Sequence, residues 1–188
     1  MSIIFKELKP YIARTVRISI CFENGNYENY TMISDIPDGR YDDLYVFGVG
    51  MVDVEFPNDV YKRPSITLTD SITLKTGYFL GCGLEIVLHE KPRDILRQHE
   101  QFLLFRDLRE YLQIGRHFSV VMKEDWSYEY YEWRHNIPEE NNDLYVYGIG
   151  IEDLPYKLKD LRYSELTDTA LMKQMVIVLA KTPREEEK

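Results

Sequence analysis

The side chains with the clearest chemical potential are four histidines and two cysteines: His89, His99, His117, His135, Cys21 and Cys82. The sequence contains no His-x-His, HExxH or Cys-x-x-Cys spacing, so it predicts no zinc site and no other tight metal site. His99 falls on an apolar helical stripe, which is typical of a structural histidine. Cys21 and Cys82 lie in apolar, strand-like segments and are expected to be two buried thiols rather than a disulfide.

Other catalytic patterns are also missing from the sequence. The sequence contains no G-x-S-x-G nucleophile motif, so it offers no candidate for the serine of a Ser-His-Asp triad. Asp42, Asp43 and Asp53 lack the spacing of a calcium loop. Gly48 and Gly50 form a Gly-x-Gly pair without the third glycine or the lysine that a phosphate loop uses. The chain is therefore expected to have no catalytic residues, no cofactor and no enzymatic activity, although its many carboxylates leave an unidentified acid–base pair open.

An internal repeat organises the chain. Residues 43–50 read DLYVFGVG and residues 143–150 read DLYVYGIG. Further segments match in the same order, including 5–19 with 105–119, 27–30 with 128–131 and 85–92 with 176–183, and the length differences fall in turn-like positions. This pattern predicts an α+β fold made by tandem duplication of a helix-plus-antiparallel-sheet unit, roughly α-β-β-β-β. The two similar subdomains, 1–92 and 93–183, are expected to pack about a pseudo-twofold, followed by a disordered tail at 184–188.

Periodicity predicts the elements within each repeat. Apolar residues recur at three- and four-residue steps across 93–114 and predict a long helix in the second copy, whereas Pro10 should end the first helix early. A hairpin follows each helix. The strand that carries the repeated phrase is apolar on both faces, so it is expected to be central. Its glycines would then form a trough that lets the helix approach. Residues 57–80 and 156–173 are assigned only as loop plus a short strand or turn.

Charge is unevenly distributed along the sequence. The net charge is −9, which argues against direct binding to nucleic acid or to an anionic membrane. Residues 23–59 carry −8 and residues 121–155 carry −7, which leaves +6 on the rest of the chain. Both copies place their acids in the hairpin return and in the approach to the third strand. These acids are either solvated outer faces or a surface that recognises a basic partner.

Aromatic residues are interleaved with those acids, most densely in WSYEYYEW at 126–133. Cross-strand pairing explains part of this pattern, but Tyr and Trp are also enriched at interface hot spots. The predicted partner-binding residues are Glu124, Asp125, Trp126, Tyr128, Glu129, Tyr130, Glu132, Trp133, Glu139, Glu140, Asp143, Tyr27, Glu28, Tyr30, Asp38, Tyr41 and Asp42.

These observations predict a cytoplasmic protein that acts by binding. The favoured role is an acidic inhibitor that occupies a basic groove of a partner protein, such as a nucleic-acid-binding enzyme. Many phage and mobile-element inhibitors of bacterial defence, including anti-CRISPR proteins, are also small, acidic and without catalytic motifs. This is an analogy with a class of proteins and not a motif match. The chain is expected to be a monomer or a homodimer. The alternatives are a structural or assembly protein whose aromatic surface mediates homo- or hetero-oligomerisation, and a small-molecule binder or enzyme with a site between the two copies.

Overall fold

The computed structural model describes residues 2–57, 78–94, 102–113, 116–156 and 170–184. The chain divides into two compact units, Met1–Leu96 and Arg97–Lys188. Each unit contains one four-stranded sheet and little helix. The predicted ends of the long helix, at 95–101 and 114–115, and most of the unassigned segments, at 58–77 and 157–169, lie outside the described residues.

The sheet of the first unit has the strand order Tyr27–Tyr30, Ile18–Phe22, Tyr78–His89, Tyr45–Pro57. A short helix α1, Phe5–Leu8, continues as a 3-10 turn at Lys9–Tyr11, so the predicted early end of this helix near Pro10 is confirmed. The strands are β1 (Ile18–Phe22), β2 (Tyr27–Tyr30), β3 (Tyr45–Pro57) and β4 (Tyr78–His89). The predicted hairpin joins β1 to β2, with Gly25 at φ +80° in its turn.

The second unit repeats this order, with Tyr128–Trp133, Arg116–Met122, Ala170–Ala180 and Tyr145–Tyr156 as its successive strands. Its elements are α2 (Phe105–Arg109), β5 (Arg116–Met122), β6 (Tyr128–Trp133), β7 (Tyr145–Tyr156) and β8 (Ala170–Ala180). The predicted hairpin is again present, between β5 and β6. The repeat is therefore visible in the strand order of the two sheets, whereas the helices are short.

The prediction of antiparallel sheets is wrong in one pairing of each unit. β1 runs parallel to β4 and β5 runs parallel to β8, so both sheets are mixed. The last strand of each unit enters between the first strand and the third. The repeated phrase therefore lies on an edge strand of the described sheet rather than on a central one.

A β-bulge explains why simple alternation fails in the repeated phrase. Val46 pairs with Leu88 and Gly48 pairs with Val87, which leaves Phe47 as an extra residue. Val46 and Val49 are consequently both fully buried, although strict alternation would place them on opposite faces. Arg93 Nη1 donates a 3.0 Å hydrogen bond to the Phe47 carbonyl and so satisfies a group that the bulge displaces. The second unit has the same register shift between Val146 and Gly148.

The prediction of one continuous helix across 93–114 is also wrong. Within the described residues the helix covers only Phe105–Arg109, and Leu104 forms an isolated antiparallel bridge with Tyr145. Val146 N donates to the Leu103 carbonyl at 2.8 Å, and Phe105 N donates to the Leu144 carbonyl at 2.9 Å. Pairing of this extended segment with β7 takes the place of intrahelical bonds, so Leu103 and Leu104 are buried without being helical.

The core of each unit lies between the short helix and one face of its sheet. In the first unit Phe5, Ile18 and Ile86 are fully buried. In the second unit Phe105, Leu108 and Ile177 are fully buried as well. The two cysteines are free thiols, as expected, but they are half-buried rather than buried. Burial, then the nearby Glu85 charge, raise the pKa of the Cys21 thiol, so it remains protonated near neutral pH.

Candidate functional site

The first acidic arm, residues 23–43, holds a closed network around Glu28. Tyr30 Oη donates to the Glu28 carboxylate at 2.8 Å, and Tyr41 Oη donates to the same oxygen at 2.9 Å. Arg40 Nη2 lies 2.8 Å from the other oxygen. The two phenol oxygens lie 2.6 Å apart, and because each carries one proton, only two of the three contacts among Glu28, Tyr30 and Tyr41 are donated at any one time. Three of the predicted partner-binding residues, Glu28, Tyr30 and Tyr41, therefore satisfy one another within the chain.

Electrostatics within this network agree with its geometry. Partial burial alone would raise the pKa of the Glu28 carboxyl. The hydrogen bonds from Tyr30 and Tyr41 and the charge of Arg40 outweigh burial, so the pKa of Glu28 lies below its ordinary value. Burial and the bonds to Tyr30 and Glu28 raise the pKa of Tyr41 well above its ordinary value. The phenols thus remain hydrogen-bond donors to a carboxylate.

The Tyr41 ring fills the space above the sheet in this arm. It is 4% exposed and packs edge-on to Phe5 at 6.1 Å between ring centroids. It also contacts Phe22 at 5.6 Å and Tyr30 at 6.4 Å. The guanidinium carbon of Arg40 lies 5.2 Å from the Tyr41 ring centroid. Tyr41 is therefore a packing residue whose ring contacts the Arg40 guanidinium, and its side chain is not exposed for binding.

The remaining predicted residues of the first arm are more accessible. Tyr27 is 63% exposed. Asp38 is fully exposed and forms a 3.5 Å ion pair with Lys9, which as a surface pair contributes little stability. The Asp42 carbonyl accepts a hydrogen bond from Lys6 N at 3.1 Å.

In the second acidic arm, residues 123–143, the first two predicted acids stabilise a turn. The Lys181 backbone N–H donates to Glu124 Oε1 at 2.7 Å, and this bond holds the pKa of Glu124 below its ordinary value. The Ser127 hydroxyl and backbone N–H donate to Asp125 Oδ1 at 2.7 and 2.9 Å and lower the pKa of Asp125. The carboxylates of Glu124 and Asp125 therefore already accept hydrogen bonds from other groups of the same chain.

Two aromatic residues at this turn are exposed. Trp126 has φ +57° and a side chain that is 61% exposed, and Tyr128 is 43% exposed. Lys123 Nζ lies 4.3 Å from the Trp126 ring centroid and 5.1 Å from that of Tyr147, within cation–π range of both. Exposed Trp and Tyr beside charge are the composition that protein interfaces favour.

The other side chains of the arm divide between internal contacts and solvent. Tyr130 Oη shares a 2.7 Å hydrogen bond with His117 Nδ1, which accompanies a left-handed backbone at His117, φ +71°. The Trp133 ring stacks on His135 at 6.3 Å. Asp143 forms an ion pair with Arg106. Glu132 and Glu139 are exposed.

A small cleft opens on the core-facing side of β6. Glu129 and Tyr131 stand opposite Val120 and Phe118 in the pairing of β6 with β5, and Tyr131 Oη donates to the Glu129 carboxylate. The cleft has a volume of about 160 Å³. Its lining comprises Val120, Met122, Ser127, Tyr128, Glu129, Tyr131, Pro138, Glu140 and Asn141. We call this feature the acidic cleft.

The electrostatics of the acidic cleft differ from those around Glu28. Burial, the hydrogen bond to Glu129, and the charges of Glu129 and Glu140 all raise the pKa of Tyr131. Among the described residues that line the cleft, none is Lys, Arg or His. The cleft thus combines an aromatic ring, an apolar floor and two carboxylates without a cation.

Backbone geometry relates the cleft to the first arm. Leu44 N donates to the Tyr41 carbonyl at 2.9 Å, and Leu144 N donates to the Asn141 carbonyl at 3.1 Å. Asn141 therefore occupies the position of Tyr41, and Glu140 that of Arg40. In the second unit a short amide replaces the large ring, and a negative charge replaces the positive one. The sequence prediction included the lining residues Tyr128, Glu129 and Glu140. It missed the other lining residues, which are Val120, Met122, Ser127, Tyr131, Pro138 and Asn141.

No protein-family model, curated protein or solved structure gives a significant match to this chain. Among the described residues no group of three or more His, Cys, Asp or Glu side chains is placed to hold a metal ion. In the same part of the chain, no helix has both the length and the apolar character needed to cross a lipid bilayer.

Proposed function

We propose that this chain is an acidic protein-binding protein that recognises a basic surface of a partner protein through its second acidic arm. The observation that carries the proposal is the contrast between the arms. Glu28 at the centre of the first arm is paired with Arg40, whereas the second arm combines exposed Trp126 and Tyr128 with the carboxylates of the acidic cleft, whose described lining contains no cation. Inhibition of a nucleic-acid-handling enzyme, as an anti-CRISPR protein inhibits its target, is the specific form of this role that the charge pattern suggests.

The physical basis is electrostatic complementarity around aromatic anchors. Acids at the rim of an interface accelerate association with a cationic partner and select against anionic ones. Aromatic side chains supply contact area at a low cost in conformational entropy. A groove that normally holds nucleic acid is lined by Lys and Arg, so it would fit such a surface.

Affinity capture from a nuclease-treated bacterial lysate tests the proposal. The arm variant E132Q/E139Q/E140Q removes three exposed carboxylates that make no ion pair among the described residues. The matched control E90Q/D94N/E152Q removes three exposed carboxylates outside the second arm's turn and cleft. We expect the wild type and the control to retain the same basic protein and the arm variant to lose it. Equal capture by all three proteins would refute recognition through the arm.

A second candidate function, homo-oligomerisation, is favoured by the position of β6 at the edge of the described sheet with exposed aromatics beside it. Light scattering distinguishes the two functions. A dimer whose mass is insensitive to salt and which Trp126→Ser converts to a monomer would favour assembly. A monomer that captures a basic protein would favour recognition.

A further inference from the structure

We propose that the acidic cleft of the second unit is a binding site for an arginine side chain of the partner, with Glu129 and Glu140 as guanidinium acceptors and Tyr131 as the aromatic wall. This inference rests on the proposed function and makes it more specific. It identifies one cleft, one ligand group and the side chains that would hold it.

The first unit supplies the internal precedent. There the residue equivalent to Glu129 is Glu28, which accepts a 2.8 Å hydrogen bond from the Arg40 guanidinium. That guanidinium also lies 5.2 Å from the centroid of the Tyr41 ring, whose position in the second unit is occupied by Asn141. The same fold therefore already binds an arginine head group at the corresponding place, with the ligand provided by its own chain.

The second unit retains the acceptor, but its described residues place no cation at the cleft. Glu129 and Tyr131 preserve the carboxylate–phenol pair of Glu28 and Tyr30. Glu140 occupies the position of Arg40, so a carboxylate replaces the cation. Asn141 occupies the position of Tyr41, and the space that the Tyr41 ring fills in the first unit is open here. The loss of an internal cation and the opening of a cleft thus occur together at one site.

The chemistry of the cleft favours guanidinium over ammonium. A planar guanidinium presents several N–H donors in a fixed fork, so it can bond carboxylates from two directions. Its flat face can lie against the Tyr131 ring, and its methylene stem can contact Val120 and Met122 on the apolar floor. A lysine ammonium would gain the charge interaction but not the planar contact.

Methyl NMR of the folded full-length protein tests the site. The probe is N-acetyl-arginine methylamide, and the control is N-acetyl-citrulline methylamide, which has a similar shape but no charge. We expect the arginine probe to shift the Met122 and Val120 methyl signals in a saturable, millimolar titration. The citrulline probe should shift them at least about fivefold more weakly, because it lacks the charge-assisted bonds. Equal responses to the two probes, or no response of Met122, would overturn the proposal.

Exchange of residues between the arms gives matched variants. In E140R/N141Y the second unit receives the internal cation and ring of the first, so the shift of Met122 by the probe should disappear. In R40E/Y41N the first unit loses its internal cation and ring, so the arginine probe should newly shift the Ile20 methyl signals. Retention of binding by E140R/N141Y would contradict the proposal. If that variant does not fold, E129Q/E140Q provides the same test, with an expected loss of about fivefold or more.

The two proposals fail in different ways. Capture of a basic protein that depends on the second arm, without an arginine response at Met122, would leave the proposed function standing and remove this site. An arginine response at Met122 without any captured basic protein would support the site and remove the proposed function.

Discussion

The most informative residue pair in this molecule is Tyr41 and Asn141, which occupy equivalent places in the two units. Tyr41 is buried among Phe5, Phe22 and Tyr30, whereas Asn141 borders an open cleft. One substitution between copies therefore separates a residue that completes a core from one that borders a cleft. Tyr41, which the sequence predicted as a partner-binding residue, is 4% exposed and packs against its neighbours.

Tyr41→Ala should lower the free energy of unfolding by about 3 kcal/mol, because truncation of a buried aromatic residue removes contacts and leaves a cavity. Asn141→Ala should change it by less than about 0.5 kcal/mol, because that side chain borders solvent. Urea denaturation of the two variants beside the wild type measures both effects. Equal costs would show that the Tyr41 ring is not the packing element described above.

Glu28 predicts a specific pH dependence. Its pKa is lowered in the folded state, so its ionised form contributes stability that is fully present above the unfolded-state pKa of about 4.3 and is lost as the pH falls through the folded value. The stability difference between the wild type and Glu28→Gln should therefore decrease below about pH 4.3. Denaturation at several pH values measures it, and a difference that is constant from neutral to acidic pH would contradict the network.

At the scale of elements, the sequence predicted what local chemistry determines. The hairpins follow from alternation and from turn residues such as Gly25, and the early end of α1 follows from Pro10. The parallel pairing of β1 with β4 joins segments that are distant in the chain, which no local pattern specifies. The bulge at Phe47 and the extended Leu104 likewise depend on tertiary hydrogen bonds. The acidic cleft could have been predicted only by comparison of the two arms residue by residue.

The bulge of β3 provides a test at this scale. Arg93→Met removes the donor to the Phe47 carbonyl but keeps most of the aliphatic stem. We expect it to lower the free energy of unfolding by about 1–2 kcal/mol, because a displaced, partly buried carbonyl loses a charged partner. Lys91→Met, an exposed neighbour, should change it by less than about 0.5 kcal/mol. Thermal denaturation of both variants measures this, and indistinguishable stabilities would show that Arg93 does not support the bulge.

At the scale of the whole molecule, two similar sheets carry arms of different character. The first arm neutralises its central acid with Arg40, and the second leaves its cleft acidic. Duplication followed by divergence of a few positions is sufficient to produce this difference. We therefore propose that the first arm is structural and that the second arm recognises the partner, within a chain whose net charge is −9.

The most direct test of this assignment is capture of the partner by immobilised wild-type protein and by E140R/N141Y, with elution as salt is raised from about 0.1 M to about 1 M. That change shortens the Debye length from about 10 Å to about 3 Å and weakens exposed charge interactions. We predict that the wild type retains a basic protein at low salt and releases it at high salt, and that the variant does not retain it. A partner that both proteins hold equally at both salt concentrations would contradict it.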